Sequence, residues 1–151
     1  MNKTKIRIIR VFVTLIFCAV SYGIGVYQQS KKNEVVYAQM CQTVTSIDDP
    51  RLIDAIIFVE SSNNPRARSS KGCIGLMQVN WRVWKKELRK LGIHSADELY
   101  DPMKNVKAGK YILNRHYEWA KGDLRKALQD YSNGKSFFYE KVMYHAITGE
   151  K

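Results

Sequence analysis

The chain has 151 residues, 45% of them hydrophobic, with 25 Lys/Arg against 14 Asp/Glu and a formal net charge of +11. That length holds one globular domain once an N-terminal hydrophobic segment is set aside. The basic balance suits an anionic partner such as a cell-wall polymer or lipid headgroup, while the lack of any basic block interleaved with aromatic residues argues against nucleic acid.

In chain order, Lys3, Lys5, Arg7 and Arg10 precede residues 11–27, seventeen residues without a charge. This is short for a membrane span and long for a signal-peptide core. Either reading sends the rest of the chain out of the cytoplasm. A weak small-residue pattern at Val36-Tyr37-Ala38 favours an uncleaved signal anchor, and the excess of basic residues before the span keeps residues 1–10 in the cytoplasm. Residues 28–47 are polar, without sustained periodicity, and read as a linker. The domain proper, residues 48–151, is basic in its own right: from residue 46 onward nineteen Lys/Arg stand against thirteen acids, a balance of +6.

Asp49-Pro50 is a helix start, an N-cap followed by proline at the first helical position. Leu52, Ile53, Ala55, Ile56, Ile57 and Val59 then cover more than one helical face, which predicts a helix central to the core and ending near Glu60. Asn63-Asn64-Pro65 stops it, and the loop that follows contains the turn sequence Ser69-Ser70-Lys71-Gly72. The spacing predicts a second helix over residues 81–91, with Trp81, Trp84, Leu88 and Leu91 inward and Lys85, Lys86, Arg89 and Lys90 outward. Asp101-Pro102 starts a third helix, reaching about Ala120. Asp123 caps a fourth through Tyr131, and a last one covers about residues 136–147. With no convincing alternation, the expected fold is mainly α with a small β-hairpin at residues 66–75. Cys41 and Cys73 fit a disulfide in an oxidising compartment and two free thiols equally well. No His or Cys has metal-ligand spacing, and no cofactor or metal is expected.

The chemistry concentrates after the first helix. Breaking a glycosidic bond at neutral pH needs a proton delivered to the leaving oxygen, hence a carboxyl kept protonated by desolvation. Glu60 follows an apolar run, and no other acid occurs in the next twenty-six residues. It faces a loop rich in Gly, Ser, Met and Gln. A hydrolase with two carboxylates would need a second acid, for which only carboxylates distant in sequence, such as Asp101 or Asp130, are available.

Four motifs occur in order: E-S-x-x-N-P-x-A-x-S from Glu60, G-x-x-G-L-M-Q-V from Gly72, D-P-x-x-N-V-x-A-G-x-Y-I-L from Asp101, and A-L-x-x-Y from Ala127. Together they resemble the catalytic domain of the lytic transglycosylases, the goose-lysozyme-like family that cuts peptidoglycan, across about residues 50–145. The resemblance implies a lysozyme-like helical domain with Glu60 as sole catalytic acid and base. Glu60 would protonate the oxygen between N-acetylmuramic acid and N-acetylglucosamine, then accept the proton of the muramyl C6 hydroxyl, leaving a 1,6-anhydromuramyl end.

Further roles carry over by position. Ser61 follows the acid and supports the local backbone, or is simply a helix-end hydroxyl. Ser69 faces the sugar near the scissile bond. Gly75 permits close backbone approach, and Met77 and Gln78 line the sugar groove. Tyr131 stands by the acid, in a run where Ser132 replaces the family's usual asparagine and Asn133 is a neighbouring substitute. Phe138 takes the place of a later family tyrosine, which leaves Tyr139 or Tyr144 to compensate or only to pack. Asn105, Ala108 and Gly109 match a structural helix without chemistry.

The implied partners are peptidoglycan glycan strands and, through the N-terminal helix, a membrane. The catalytic domain would face the periplasm in the cell envelope, serving an envelope-spanning or virion assembly in phage entry or lysis, secretion or conjugation. A membrane-held form released later is a variant of this reading. The rivals are a muramidase-type hydrolase and a non-catalytic glycan-binding assembly module.

Overall fold

The computed structural model describes residues 22–25, 27, 28, 31, 44 and 46–150. The chain divides into two units, Met1–Cys41 and Gln42–Lys151. In the first, the described residues are helical and exposed, and the Lys31 ammonium lies over the Tyr27 ring, 5.8 Å from its centroid. Most of the predicted signal anchor and linker lies outside the described residues. Among those described, no helix is long and apolar enough to cross a membrane.

The second unit is mainly helical with one small antiparallel sheet. Helix α1, Pro50–Ser61, begins where the Asp49 carboxylate accepts the Arg51 N–H at 2.9 Å. Its apolar residues Leu52, Ile53, Ala55, Ile56 and Ile57 are all buried. Helix α2, Trp81–Lys90, is amphipathic: Leu88 is fully buried, and Lys85, Lys86, Arg89 and Lys90 are exposed. A single 3₁₀ turn, Asp97–Tyr100, which no sequence pattern announced, leads to α3, Pro102–Trp119, capped by Asp101. Asp123 caps α4, Leu124–Tyr131, and α5 is Phe138–Thr148.

The sheet corrects one expectation. The hairpin pairs β1, Cys73–Ile74, with β2, Val79–Asn80, in the register Cys73↔Asn80 and Ile74↔Val79. It runs over residues 73–80, so that of the window 66–75 only β1 and an isolated bridge, Arg68↔Ile74, are extended, and the second strand lies beyond it. Strands of two residues are too short to show alternation, and Gly75 with φ +75° and Gln78 with φ +49° supply the turn instead.

Helix α1 packs mainly on α5, and α3 on α4. Leu52, Ile56, Met77, Leu88, Leu99, Leu113, Leu128 and Met143 are fully buried between them, each side chain contributing roughly 1.5–3 kcal/mol by leaving water. This core holds the C-terminal end of α1, the hairpin and the C-terminal end of α4 around one cleft.

Candidate active site

Glu60 is the penultimate residue of α1. The helix stops at once because Ser62 and Asn63 are left-handed, with φ of 51° and 63°, and the Ser62 N–H caps the Phe58 carbonyl. Asn64 Oδ1 then takes the Arg66 N–H at 2.9 Å and turns the chain away. Glu60 is thereby left at the rim of a cleft of about 330 Å³, lined by Ser69, Lys71, Cys73, Gln78, Tyr131, Asn133 and Lys135 among others. Its side chain is only 5% exposed, and Oε2 accepts a charge-assisted bond of 2.6 Å from Lys135 Nζ.

One wall is the loop from α1 to the hairpin. Ser69 is locked in place: its Oγ accepts the Cys73 N–H at 3.0 Å, and its carbonyl accepts the Gly72 N–H at 3.0 Å. Gln78 donates through Nε2 to the Gly75 carbonyl at 3.0 Å, which fixes its amide beside the turn. The other wall is the end of α4. Tyr131 reaches across to donate to the Met77 carbonyl at 2.8 Å. Burial, first, and then the neighbouring Glu60 carboxylate push its hydroxyl well above the usual phenol value, so it remains a neutral donor.

Residues 37–149 match the family described as the transglycosylase SLT domain. The chain belongs to that family. It is 37% identical over 86 residues, 57% of its length, to a transglycosylase of Enterobacteria phage PRD1. To the membrane-bound lytic murein transglycosylase E of Buchnera aphidicola subsp. Acyrthosiphon pisum (strain APS) it is 43% identical over 70 residues, 44% of its length. These alignments span 29% and 32% of the two relatives.

Against the family pattern, the cleft gathers Glu60, Ser69, Gln78 and Tyr131. Ser61 is directed elsewhere, its Oγ donating to the Ile57 carbonyl at 3.0 Å. Gly75 is buried and does not line the cleft. It is glycine for two reasons: its φ is positive, and a Cβ there would meet Asn105 Nδ2 at 2.2 Å and the Leu99 carbonyl oxygen at 2.5 Å. Met77, expected along the sugar groove, has its side chain fully buried. It fills the space left by Gly109, where a Cβ would lie 2.3 Å from Met77 Sδ, and only its backbone carbonyl meets the Tyr131 hydroxyl. Tyr139 is buried on α5 with the Arg125 guanidinium 4.1 Å from its ring centroid, and neither it nor Tyr144 lines the cleft. Ser132 is buried with its hydroxyl on the Gln129 carbonyl at 2.9 Å, whereas Asn133, at φ +56°, is exposed beside the cleft. Cys73 lines the cleft and has no disulfide partner among the described residues, and Cys41 lies outside them.

Two residues matter more here than their sequence context indicates. Asn105, 1% exposed, accepts the Met77 N–H at 2.8 Å and donates to the carbonyls of Ile74 and Leu99 at 2.8 and 2.7 Å. It pins both strands' connecting turn to α3. Lys135, immediately after the Asn133-Gly134 turn, supplies the cation on Glu60. Its signal was its place directly after the tyrosine motif, but an exposed lysine in a loop has no pattern of its own.

Proposed function

We propose that the protein is a lytic transglycosylase that cuts peptidoglycan with Glu60 as its one acid and base. The observation that carries this is that Glu60 is the only carboxylate lining the cleft among the described residues, and its side chain is almost wholly screened from water. The distant acids are engaged elsewhere: Asp101 caps α3 by accepting the Lys104 N–H, and Asp130 pairs with Lys126 at 3.2 Å. Without a second carboxylate to hold a water or form a glycosyl ester, the economical route is intramolecular. Protonated Glu60 gives its proton to the glycosidic oxygen as the C1–O bond breaks. The resulting carboxylate takes the proton of the muramyl C6 hydroxyl as O6 bonds to C1, so Glu60 regains its starting proton and no water is consumed. Ser69, Gln78 and Tyr131 bind and orient the sugars, and Ser61, Gly75 and Met77 act through the backbone that shapes the wall. Tyr139 steadies α5 behind the cleft.

The uncharged stretch 11–27 with its basic flank supports a membrane-anchored enzyme whose domain works in the periplasm. The phage and membrane-bound relatives fit local wall opening for phage passage or for an envelope-spanning machine. The deciding experiment digests purified peptidoglycan with the full chain in detergent and identifies products by mass spectrometry. Anhydromuramyl ends from the parent and none from Glu60→Gln are expected. Reducing ends would make it a muramidase, and no release at all would make it a binding module.

A further inference from the structure

The two loops bordering the cleft each present one lysine. Lys71 sits at the tip of the turn closed by the Gly72 N–H to the Ser69 carbonyl, with its own carbonyl accepting from Asn80 Nδ2 at 3.4 Å. Its side chain has no ion pair among the described residues. Lys135 is 58% exposed and, among the described residues, is ion-paired with Glu60 alone, with the Phe138 ring 5.7 Å away. Cation and carboxylate balance at Glu60 only while that residue is ionised. The proposed reaction starts from Glu60 in its protonated form, and in that state the Lys135 ammonium has lost its counter-charge while Lys71 never had one. Two uncompensated cations beside a reacting sugar serve no purpose for a neutral polymer of amino sugars, whereas a substrate that brings a carboxylate satisfies both.

Resting on the transglycosylase reading above, we infer that Lys71 and Lys135 select glycan whose muramyl substituents carry free carboxylates. Lys135 moves its ion pair from Glu60 to the substrate as it binds. The exchange couples recognition to chemistry: the incoming carboxylate draws the ammonium from Oε2 and leaves that oxygen free to face the glycosidic bond. The carboxylate belongs either to the acidic stem peptide or, on strands stripped of peptide, to the lactyl group. Its chemistry at the two lysines is the same. Such complementarity acts through encounter and orientation.

The test compares cleavage of native peptidoglycan with the same material after its carboxylates have been converted to N-methylamides by carbodiimide and methylamine, using the full chain in detergent. At low salt the parent is expected to cut native material about three to ten times faster, as for one or two partly exposed ion pairs, with the advantage shrinking at high salt. In Lys71→Ala, which leaves the Lys135–Glu60 pair in place, and in Lys71→Ala/Lys135→Ala the ratio falls toward one, and a cooperative urea transition close to the parent's shows that each variant is folded. Lys85→Gln/Lys86→Gln removes equal charge from the outer face of α2 and keeps the ratio. Equal rates in the parent, survival of the ratio in the double alanine variant, or its equal loss in the α2 variant would each overturn the inference. A parent that cuts neither material overturns the enzymatic reading itself. The native comparison reads the stem-peptide carboxylates, because there the lactyl carboxyl is tied up in an amide. Repeating it on amidase-stripped strands reads the freed lactyl carboxylate: a ratio there shows that the lysines accept both sources, and its absence that they accept the stem peptide alone.

Discussion

The hydroxyl of Tyr131 donates to the backbone carbonyl of Met77 across 2.8 Å, joining the last turn of α4 to the hairpin turn fifty-four residues earlier in the chain. This bond closes the cleft: one partner faces Glu60, and the other belongs to the loop that carries Gln78. Since burial, with the neighbouring Glu60 carboxylate, keeps the phenol protonated, it donates across the whole working pH range.

Tyr131→Phe tests that tie. The Met77 carbonyl would lose its side-chain donor in a partly buried place, which costs about 1–2 kcal/mol. Cleavage should fall more than stability implies, roughly tenfold to a hundredfold, because a small displacement of the wall misplaces the sugar against Glu60. Urea midpoints and product-release rates, measured on the same preparation below the unfolding transition, check both numbers. A stability loss without an activity loss would make Tyr131 a packing residue only.

Glu60→Gln keeps the shape of the side chain and removes its proton chemistry. Cleavage should drop by about 10²–10⁴-fold. Stability should change by less than about 1 kcal/mol, because the ion pair lost has a largely exposed lysine as partner. Full activity in this variant would sink the single-acid mechanism.

The helices were legible because their signals are local. Asp49-Pro50, Asp101-Pro102 and Asp123 each cap the helix that follows, and apolar spacing marked the inward faces. The hairpin was placed too early because two-residue strands carry no periodicity, and its position is fixed by contacts with α3 some thirty residues away. Met77 reads as a loop residue between Leu76 and Gln78, and nothing in the sequence pairs it with Gly109. That pairing arises only when α3 packs under the turn. The salt bridge from Lys135 to Glu60 likewise joins residues seventy-five apart, a separation at which no sequence spacing is informative.

Asn105 is the residue on which this long-range arrangement depends. Asn105→Ala would strand the Met77 N–H and the carbonyls of Ile74 and Leu99, all buried, for a loss of about 2–4 kcal/mol. Asn105→Asp keeps the acceptor for Met77 but brings no amide donors and adds a buried charge, so it should be no better. Urea denaturation checks the size. Neutral behaviour of either variant would show that the turn holds without its anchor.

Gly109→Ala tests the packing from the other side. The added methyl would overlap the Met77 side chain, and overpacking of this kind costs about 1–3 kcal/mol. Pairing it with Met77→Leu, which removes the long thioether, should recover part of the loss in a double-mutant cycle. Strict additivity of the two would contradict direct contact.

His116 supplies a pH signature for the neighbouring wall. Its ring lies edge-on to Trp84, Trp119 and Tyr131. Burial lowers its pKa below the ordinary histidine value, with Asp130 pulling weakly the other way. Between the folded and unfolded values the unfolded chain binds more protons, so stability rises with pH. The favourable state is complete above about 6.5 and is lost as pH falls below it, levelling out once the folded ring also protonates. Glu98, which the Lys104 ammonium and then the His94 N–H hold down to about 2, acts in a lower window, from its usual value downward. The interval from pH 7 to pH 5 therefore isolates the histidine. Urea midpoints of the parent should decline across it, and those of His116→Gln should decline less. Parallel curves for the two proteins would show that the ring is as accessible to protons in the folded chain as in the unfolded one.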